Sequence, residues 1–324
     1  MSAGLQLIDL FMKQIKTWSM PAADGKRAFL PCALCESAAD LSGAGDEDDA
    51  VKKAEAVFKP ALYCEGFLFV KCKNCGLVQR NPQPLKEEIT LRYSKTFGAD
   101  YLKYEIDNEA SFFKLQELAL KDAGFFDLEK KLFSCVNDKN ETPSVLDIGC
   151  ATGSVLERLR ANGWRVTGVE ISPSAEYAVK TKGLDVRNLP LEDNKFPSNY
   201  FDVVLASHLI EHLNDPRGFL QETRRILKDG GYIFVTTPDI SGFQSRLFGS
   251  RWRSAIFDHL YLFSKRTLIK LLKKTGFTAE ICRTWGGLAA GTAPKWLKKF
   301  MDYIVKIFNT GDVMIIRARK NSRA

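Results

Sequence analysis

From Pro143 onward the chain alternates apolar runs of strand length with amphipathic runs of helix length, and few folds accept that order. It reads SVLDIGC (strand), SVLERLRANGW (helix), RVTGVEIS (strand), SAEYAVKTKG (helix), LDVRNLP and FDVVLASH (strands), PRGFLQETRRILKDGG (helix) and YIFVTTPD (strand). Strands joined through helices run parallel, and a parallel sheet needs helices on both faces. The expected class is therefore α/β, a Rossmann-like sheet with flanking helices. At 324 residues and 45% hydrophobic, the chain can bury such a core and still hold a second, smaller unit.

The first strand-to-helix turn, Val145-Leu-Asp147-Ile-Gly149-Cys150-Ala151-Thr-Gly153, carries the strongest chemical signal. Glycines there let the backbone approach a ligand, and the helix that follows offers free N–H groups. The next strand ends in Val169-Glu170-Ile171, which places a carboxylate at the sheet's carboxyl edge, where it can accept hydrogen bonds from ribose hydroxyls. The dinucleotide pattern G-x-G-x-x-G is absent from this turn.

The segments LDIGCATG, GVEISP, LPLEDNKFPSNYFDVVLASHLIEHLNDP, RILKDGGYIFVTTPD and DHLYLFSKRTLIKLLKKTGF, in that order, resemble the class I S-adenosylmethionine (SAM)-dependent methyltransferases over roughly residues 143–320. The branch they are most similar to includes ubiquinone O-methyltransferases and sugar- and envelope-modifying enzymes. The resemblance implies that Asp147, Gly149 and Gly153, with Cys150 and Ala151 between them, frame the methionine part of SAM. It implies further that Glu170 binds the ribose, that the segment around Leu189, Leu191 and Glu192 flanks adenine, and that Ile171 and Ser207 belong to the cofactor site as well. Ala151 stands where the family usually has a glycine. The alternative is a Rossmann-like domain with another ligand.

Ahead of this region lie Cys32-Ala-Leu-Cys35 and Cys72-Lys-Asn-Cys75, two C-x2-C pairs separated by 36 residues. Four thiolates at this spacing suit a closed, structural tetrahedral Zn2+ site, with Cys64 as an alternative ligand. The run CGLVQRNPQP after the second pair resembles the zinc ribbons fused ahead of some methyltransferases of this branch. Cys135, Cys150 and Cys282 read as packing residues. The expected organisation is a zinc-ribbon-like subdomain at 1–84 with an acidic loop GAGDEDDA, a helical connector at 85–142, and a methyltransferase domain at 143–320 with a cap insertion at about 240–263.

Three histidines are the candidates for acceptor chemistry. His208-Leu-Ile-Glu211-His212 spells a zinc-peptidase pattern, but that pattern requires a long helix and Asn214-Asp215-Pro216 interrupts it at once. At a strand end facing the acceptor, His208 or His212 could orient or deprotonate a hydroxyl. Some ubiquinone O-methyltransferases that this segment resembles hold a divalent metal here with carboxylates and a histidine, and His208 replaces the first of those acids. In the bland reading, Glu211 and His212 only brace the loop. His259 and Tyr261, in the cap, are candidates for substrate contact or for packing, and Arg246, Arg251 and Arg253 could bind phosphate groups.

The net charge of +8 is uneven. Residues 240–324 hold 17 Lys and Arg against 4 Asp and Glu, a net +13, so residues 1–239 carry −5. Such a field suits an anionic partner: a nucleotide-linked or lipid-linked glycan acceptor, a membrane surface or nucleic acid. Ala293–Phe308 reads as an amphipathic helix with apolar Trp296, Leu297, Phe300, Ile304 and Phe308, expected to pack beside the sheet, with a lipid surface as the alternative. No run approaches the length of a membrane span and no secretory pattern opens the chain, so the expected location is cytoplasmic. The expected reaction is methyl transfer to O or C of a small-molecule, sugar or envelope-type acceptor. The rivals are an RNA methyltransferase, which lacks support from any Asn/Asp-Pro-Pro-aromatic motif, and a non-catalytic binding module.

Overall fold

The computed structural model describes residues 27–28, 30–37, 47–64, 66–93, 98–134, 142–288 and 294–322. Cys135, the amino-terminal 26 residues and the start of the acidic run lie outside these. The first unit comprises β1 (Arg27–Ala28), α1 (Glu47–Val57), β2 (Phe58–Cys64), β3 (Phe67–Cys72), β4 (Val78–Arg80) and β5 (Gln83–Pro84). The acidic run, expected as a loop, is helical from Glu47. Three helices follow: α2 (Lys86–Leu91), α3 (Gly98–Asp122) and α4 (Phe125–Ser134).

The remaining elements are β6 (Ser144–Ile148), α5 (Ser154–Ala161), β7 (Arg165–Val169), α6 (Ser174–Lys182), β8 (Val186–Arg187), β9 (Phe201–Ser207), α7 (Pro216–Ile226), β10 (Leu227–Pro238), α8 (Phe243–Phe248), β11 (Tyr261–Leu262), α9 (Lys265–Lys274), β12 (Phe277–Trp285), α10 (Lys295–Ile307) and β13 (Val313–Lys320). Seven strands form one sheet in the order β12-β13-β10-β9-β6-β7-β8, with β6 to β10 parallel and β13 antiparallel to both its neighbours. The strand expected over LDVRNLP shrinks to Val186–Arg187 at the sheet edge.

Strand order reverses at β6: the chain goes to β7 and β8 on one side, then to β9 and β10 on the other. The carboxyl ends of β6 and β9 therefore open a crevice, the place where open α/β sheets bind ligands. Both faces of the sheet are covered. Leu146, Ile148, Val204 and Ala206 join one apolar cluster, whereas Val145, Val203, Leu205 and Phe234 join another with Phe125 of α4 and Trp164. Alternation along β6 thus loads both faces, as a buried parallel strand requires.

A second sheet, ordered β11-β4-β3-β2, joins the first unit to the segment expected as a cap. Tyr261 pairs with Gln79 and Leu262 with Val78, so two residues of the segment expected as a cap supply the fourth strand of this sheet. Arg80 fastens this junction. Its backbone N–H donates to Leu260 O, its Nη1 donates to Phe257 O, and its guanidinium lies over the Phe257 and Phe67 rings at 4.2 and 4.9 Å. Buried to 2% exposure, it spends its hydrogen bonds and cation–π contacts inside the joint, where a loose guanidinium would be costly. Among the described residues, no helix is long and apolar enough to cross a membrane.

Candidate active site

The turn between β6 and α5 holds three residues in the left-handed region: Gly149 (φ 75°), Ala151 (φ 49°) and Gly153 (φ 77°). At Gly153 a side chain would also collide, because a Cβ would stand 2.5 Å from Leu184 Cδ1. Ala151 bears the strain of this conformation, about 1 kcal/mol for a residue with a Cβ. Glu170, at the end of β7, fixes the turn: Ala151 N–H donates to its Oε2 (3.1 Å) and Ser172 N–H to its Oε1 (2.8 Å).

Helix α3 closes over this turn through contacts the motifs do not announce. Glu109 accepts from Thr152 Oγ1 at 2.7 Å, from Ser154 Oγ and from Lys182 Nζ, and Glu105 accepts from Ser174 Oγ. The available signal was the spacing: two acids at i and i+4 repel on an open helix face and are favourable only where donors meet them.

Asp147 lies beneath the turn, 4% exposed. Burial, with the negative charge of Glu170 second, pushes its carboxyl up to about 7 from an ordinary value near 3.8. Because the folded state holds this proton more tightly than the unfolded chain, the ionised carboxylate costs stability above pH 7, and the cost fades as pH falls towards 4. Asp147→Asn is therefore expected to stabilise the unliganded protein by roughly 4 kcal/mol at pH 8. Urea midpoints for both proteins measure this, and the difference should vanish near pH 4; an equal midpoint at pH 8 would place the carboxylate in a polar setting.

The crevice continues into a cavity of about 1460 Å³. Of the residues expected to contact SAM, Gly149, Cys150, Ala151, Glu170, Ile171, Leu191, Glu192 and Ser207 line it. Asp147, Gly153 and Leu189 do not. Asp147 is covered by the turn, Gly153 serves as the N-cap of α5, and the Leu189 side chain is half exposed outside the cavity. Glu105, Glu109, Phe112 and Leu115 of α3 form another wall.

All three histidines line the same cavity, beyond the end of β9. His208, itself left-handed (φ 50°), brings Nδ1 to 3.3 Å from Glu211 Oε1. Glu211 is 1% exposed, and neither of its carboxylate oxygens has a hydrogen-bond partner. His212 Nδ1 lies 2.9 Å from both the Asp258 carbonyl and Tyr93 Oη, and His259 Nδ1 lies 2.7 Å from the Ser254 carbonyl. Carbonyls only accept, so both Nδ1 atoms carry hydrogen and the Nε2 atoms keep their lone pairs. Ligand atoms of Glu211, His212 and His259 lie within 4.8 Å of one another, and the two imidazole centroids are 4.7 Å apart. Burial pushes His212 down to about 4 and lowers His259 as well. Against the burial that would raise it, the three imidazoles hold Glu211 down to about 2.

The other cap residues do different work. Tyr261 is buried and donates its hydroxyl to Asn214 O at 2.9 Å. Arg253 reaches the cavity edge but donates Nε to the buried carboxylate of Asp312 at 2.8 Å. Arg246 and Arg251 are exposed and do not line the cavity.

Away from the crevice, Cys32, Cys35, Cys72 and Cys75 converge with all sulfurs within 4.8 Å. Cys32 and Cys75 approach to 3.4 Å, and Cys35 and Cys72 to 3.5 Å. Each pair sits in a matching knuckle, with Glu36 N–H donating to Cys32 O and Gly76 N–H to Cys72 O, and with both Glu36 and Gly76 left-handed. Cys32 and Cys75 share one hydrogen bond between their sulfurs, which raises the Cys32 thiol and lowers that of Cys75. Cys64 is not part of the group, since its thiol donates to Ser250 O. Cys150 is buried against Leu156, Ala175 and Ala178, and Cys282 packs partly buried beside the main core.

Ubiquinone biosynthesis O-methyltransferases from Nitrosomonas europaea and Caulobacter vibrioides are 33% and 35% identical to this chain, each over 102 residues. These matches cover 29% of the chain, and 43% and 40% of the respective relatives. The chain thus spans less than half the length of the curated relatives it matches. A Thermotoga maritima SAM-dependent methyltransferase, described as a possible histamine N-methyltransferase, aligns at a TM-score of 0.46 and 22% identity, over 68% of this chain and 98% of that one. The sequence model of the methyltransferase domain matches residues 95–280, from the helix that closes over the glycine turn to the strand beyond the cap. With more than half its length inside that match, the chain belongs to the methyltransferase-domain family.

Proposed function

We propose that the protein methylates a hydroxyl group, phenolic in character, on a small acceptor with an apolar body, using SAM. The observation that carries this reading is a single cavity with the Glu170-braced turn at one end and the histidine cluster at the other. Ligand pockets usually measure about 300–1,000 Å³, so this one has room for a cofactor and an acceptor together. The named function of the relatives supports an oxygen acceptor. Arg253 is committed to Asp312, which leaves the cap with little to offer a phosphorylated sugar.

SAM bound here supplies an electrophilic methyl group on a sulfonium. Glu170 would accept from the ribose hydroxyls with the lone pairs its two backbone donors leave, with Ile171 beside it, and Leu191 would flank the base. Ser207, whose hydroxyl has no partner, lies between the two halves of the site. The Glu211 carboxylate, 3.3 Å from His208 Nδ1 with no hydrogen bond between them, favours the proton on that nitrogen by its charge, so that Nε2 would take the acceptor's proton. The apolar walls exclude water and align the oxygen with the methyl group. Glu211, His212 and His259 also fit a divalent cation: an orphaned buried carboxylate and two neutral imidazoles, each with its Nδ1–H donated to a carbonyl, are the donor set such ions accept. That ion would lower the pKa of an acceptor hydroxyl. The four cysteines fit a structural Zn2+.

The test is transfer of tritiated methyl from SAM to prenylated catechols and, in parallel, to nucleotide sugars. Labelled catechol is expected, with His208→Ala lowering kcat about 100-fold or more while SAM affinity holds. Label in the sugars alone, or a fully active His208→Ala enzyme, would sink the reading.

A further inference from the structure

Helix α10 turns its most apolar strip outward. Trp296, Phe300, Tyr303 and Ile307, at positions i, i+4, i+7 and i+11, are 70%, 55%, 65% and 57% exposed, and Phe308 beyond the helix end is 68% exposed. The spacing puts the first four on one face. The opposite face is the one that docks: Val305 is buried, and Leu297, Met301 and Ile304 are half-buried. The docking is firm. Asp302 accepts from Gly287 N–H at 2.8 Å, and a Cβ on Gly287 would stand 2.7 Å from the Met301 backbone, so the helix lies directly on that turn. The outward strip is therefore a fixed surface on a packed helix.

Charge selects what this surface meets. Lys295, Lys299 and Lys306 are exposed beside the strip, and Lys295 and Lys299 have no acidic partner among the described residues. The only acid on the helix, Asp302, is engaged on the docked side with Gly287 and Lys298. A second copy of the chain would bring lysines against lysines. An anionic bilayer would take the aromatics at its interface and the ammonium groups at its phosphates. The position adds to this. Lys298, Asp302 and Lys306 of α10 line the cavity, as do Tyr104, Phe112 and Leu115 of α3, all three exposed at the surface. Lys306 bridges the helices through Asp122 at 2.6 Å.

We propose that the outer face of α10, with Trp296, Phe300, Tyr303 and Ile307 inserted and Lys295 and Lys299 on the headgroups, docks the protein on an anionic membrane beside the mouth of its cavity. The proposal needs no particular acceptor and is tested without turnover. In flotation, the full chain is expected to rise with vesicles of phosphatidylcholine and phosphatidylglycerol, to stay behind with phosphatidylcholine alone, and to be released as salt is raised. Trp296→Ser with Phe300→Ser should weaken partitioning about tenfold or more, and Lys295→Glu with Lys299→Glu should remove the preference for anionic lipid. Circular dichroism and SAM titration check that both variants are folded. Failure of the parent to float, equal flotation of the parent and the Ser variant, or a dimer in sedimentation that the Ser variant dissolves would each overturn the proposal.

Discussion

Glu170→Ala is expected to weaken SAM binding at least about 100-fold, the largest effect of any single substitution in the crevice. Two losses combine. The ribose hydroxyls lose their charged acceptor, and a hydrogen bond to a charged group contributes about 1.5–3 kcal/mol. The turn also loses its brace, because Ala151 N–H and Ser172 N–H both donate to this carboxylate. Ala151 sits in the left-handed region at φ 49°, and without Glu170 nothing offsets its strain, so the turn relaxes away from the shape that approaches the ligand. Glu170→Gln separates the two contributions. Its carbonyl can keep one backbone donor, while its amide meets the other N–H donor to donor, so binding should fall between wild type and Ala. Calorimetric titration with SAM and with S-adenosylhomocysteine measures all three. Undiminished affinity in Glu170→Ala would mean that the β6–α5 turn serves a different ligand.

What the sequence made legible is what local chemistry decides. The alternation after Pro143, the turn Gly149–Gly153 and the carboxylate at the end of β7 are each set within a few residues, so period and glycine placement announce them. Contacts between segments far apart in sequence were not announced. Tyr261–Leu262 is too short to have a period and is a strand only because Val78 and Gln79 offer it a partner. His259 could not be tied to Glu211 from the letters, since the Leu260 N–H bond to Glu211 O depends on where that short strand is held. Glu105 and Glu109 are two acids one helical turn apart, and nothing in their own segment names the donors on Thr152, Ser154, Ser174 and Lys182 that meet them. Along α10 the pattern gave the period but not the direction. Trp296 and Phe300 belong to the apolar set by hydropathy, yet the side that docks is the one bearing Val305 and Met301, and only the meeting of the helix with Gly287 determines that choice.

The same long-range link sets up the second large effect, expected on removing the zinc proposed for the cysteine cluster. Cys75→Ser, or chelation, is expected to empty a site of about one zinc per chain and to unfold the ribbon while the seven-stranded sheet stays intact. Closed thiolate sites contribute roughly 10–16 kcal/mol in isolated zinc modules, so a zinc here would be the largest single stabilising contribution to the turns that carry the cysteines. The consequence reaches the acceptor end of the cavity. Cys72 and Cys75 bound the knuckle between β3 and β4, and β4 is the strand that holds β11, with Arg80 N–H on Leu260 O and Leu260 N–H on Glu211 O. Loosening β4 releases His259 from its place against Glu211. The Glu170 turn hangs from β6 and β7, outside that chain of contacts. Methyl transfer should therefore collapse in the metal-free protein while SAM still binds within a few-fold of wild type, and the melt should split into an early ribbon transition and a later one. Metal analysis, SAM titration and differential scanning calorimetry on the same sample decide it. A single transition with activity retained after zinc loss would show that hydrophobic packing around Phe69 and Trp252 carries the ribbon by itself, and that His259 does not depend on the cysteine knuckles for its position.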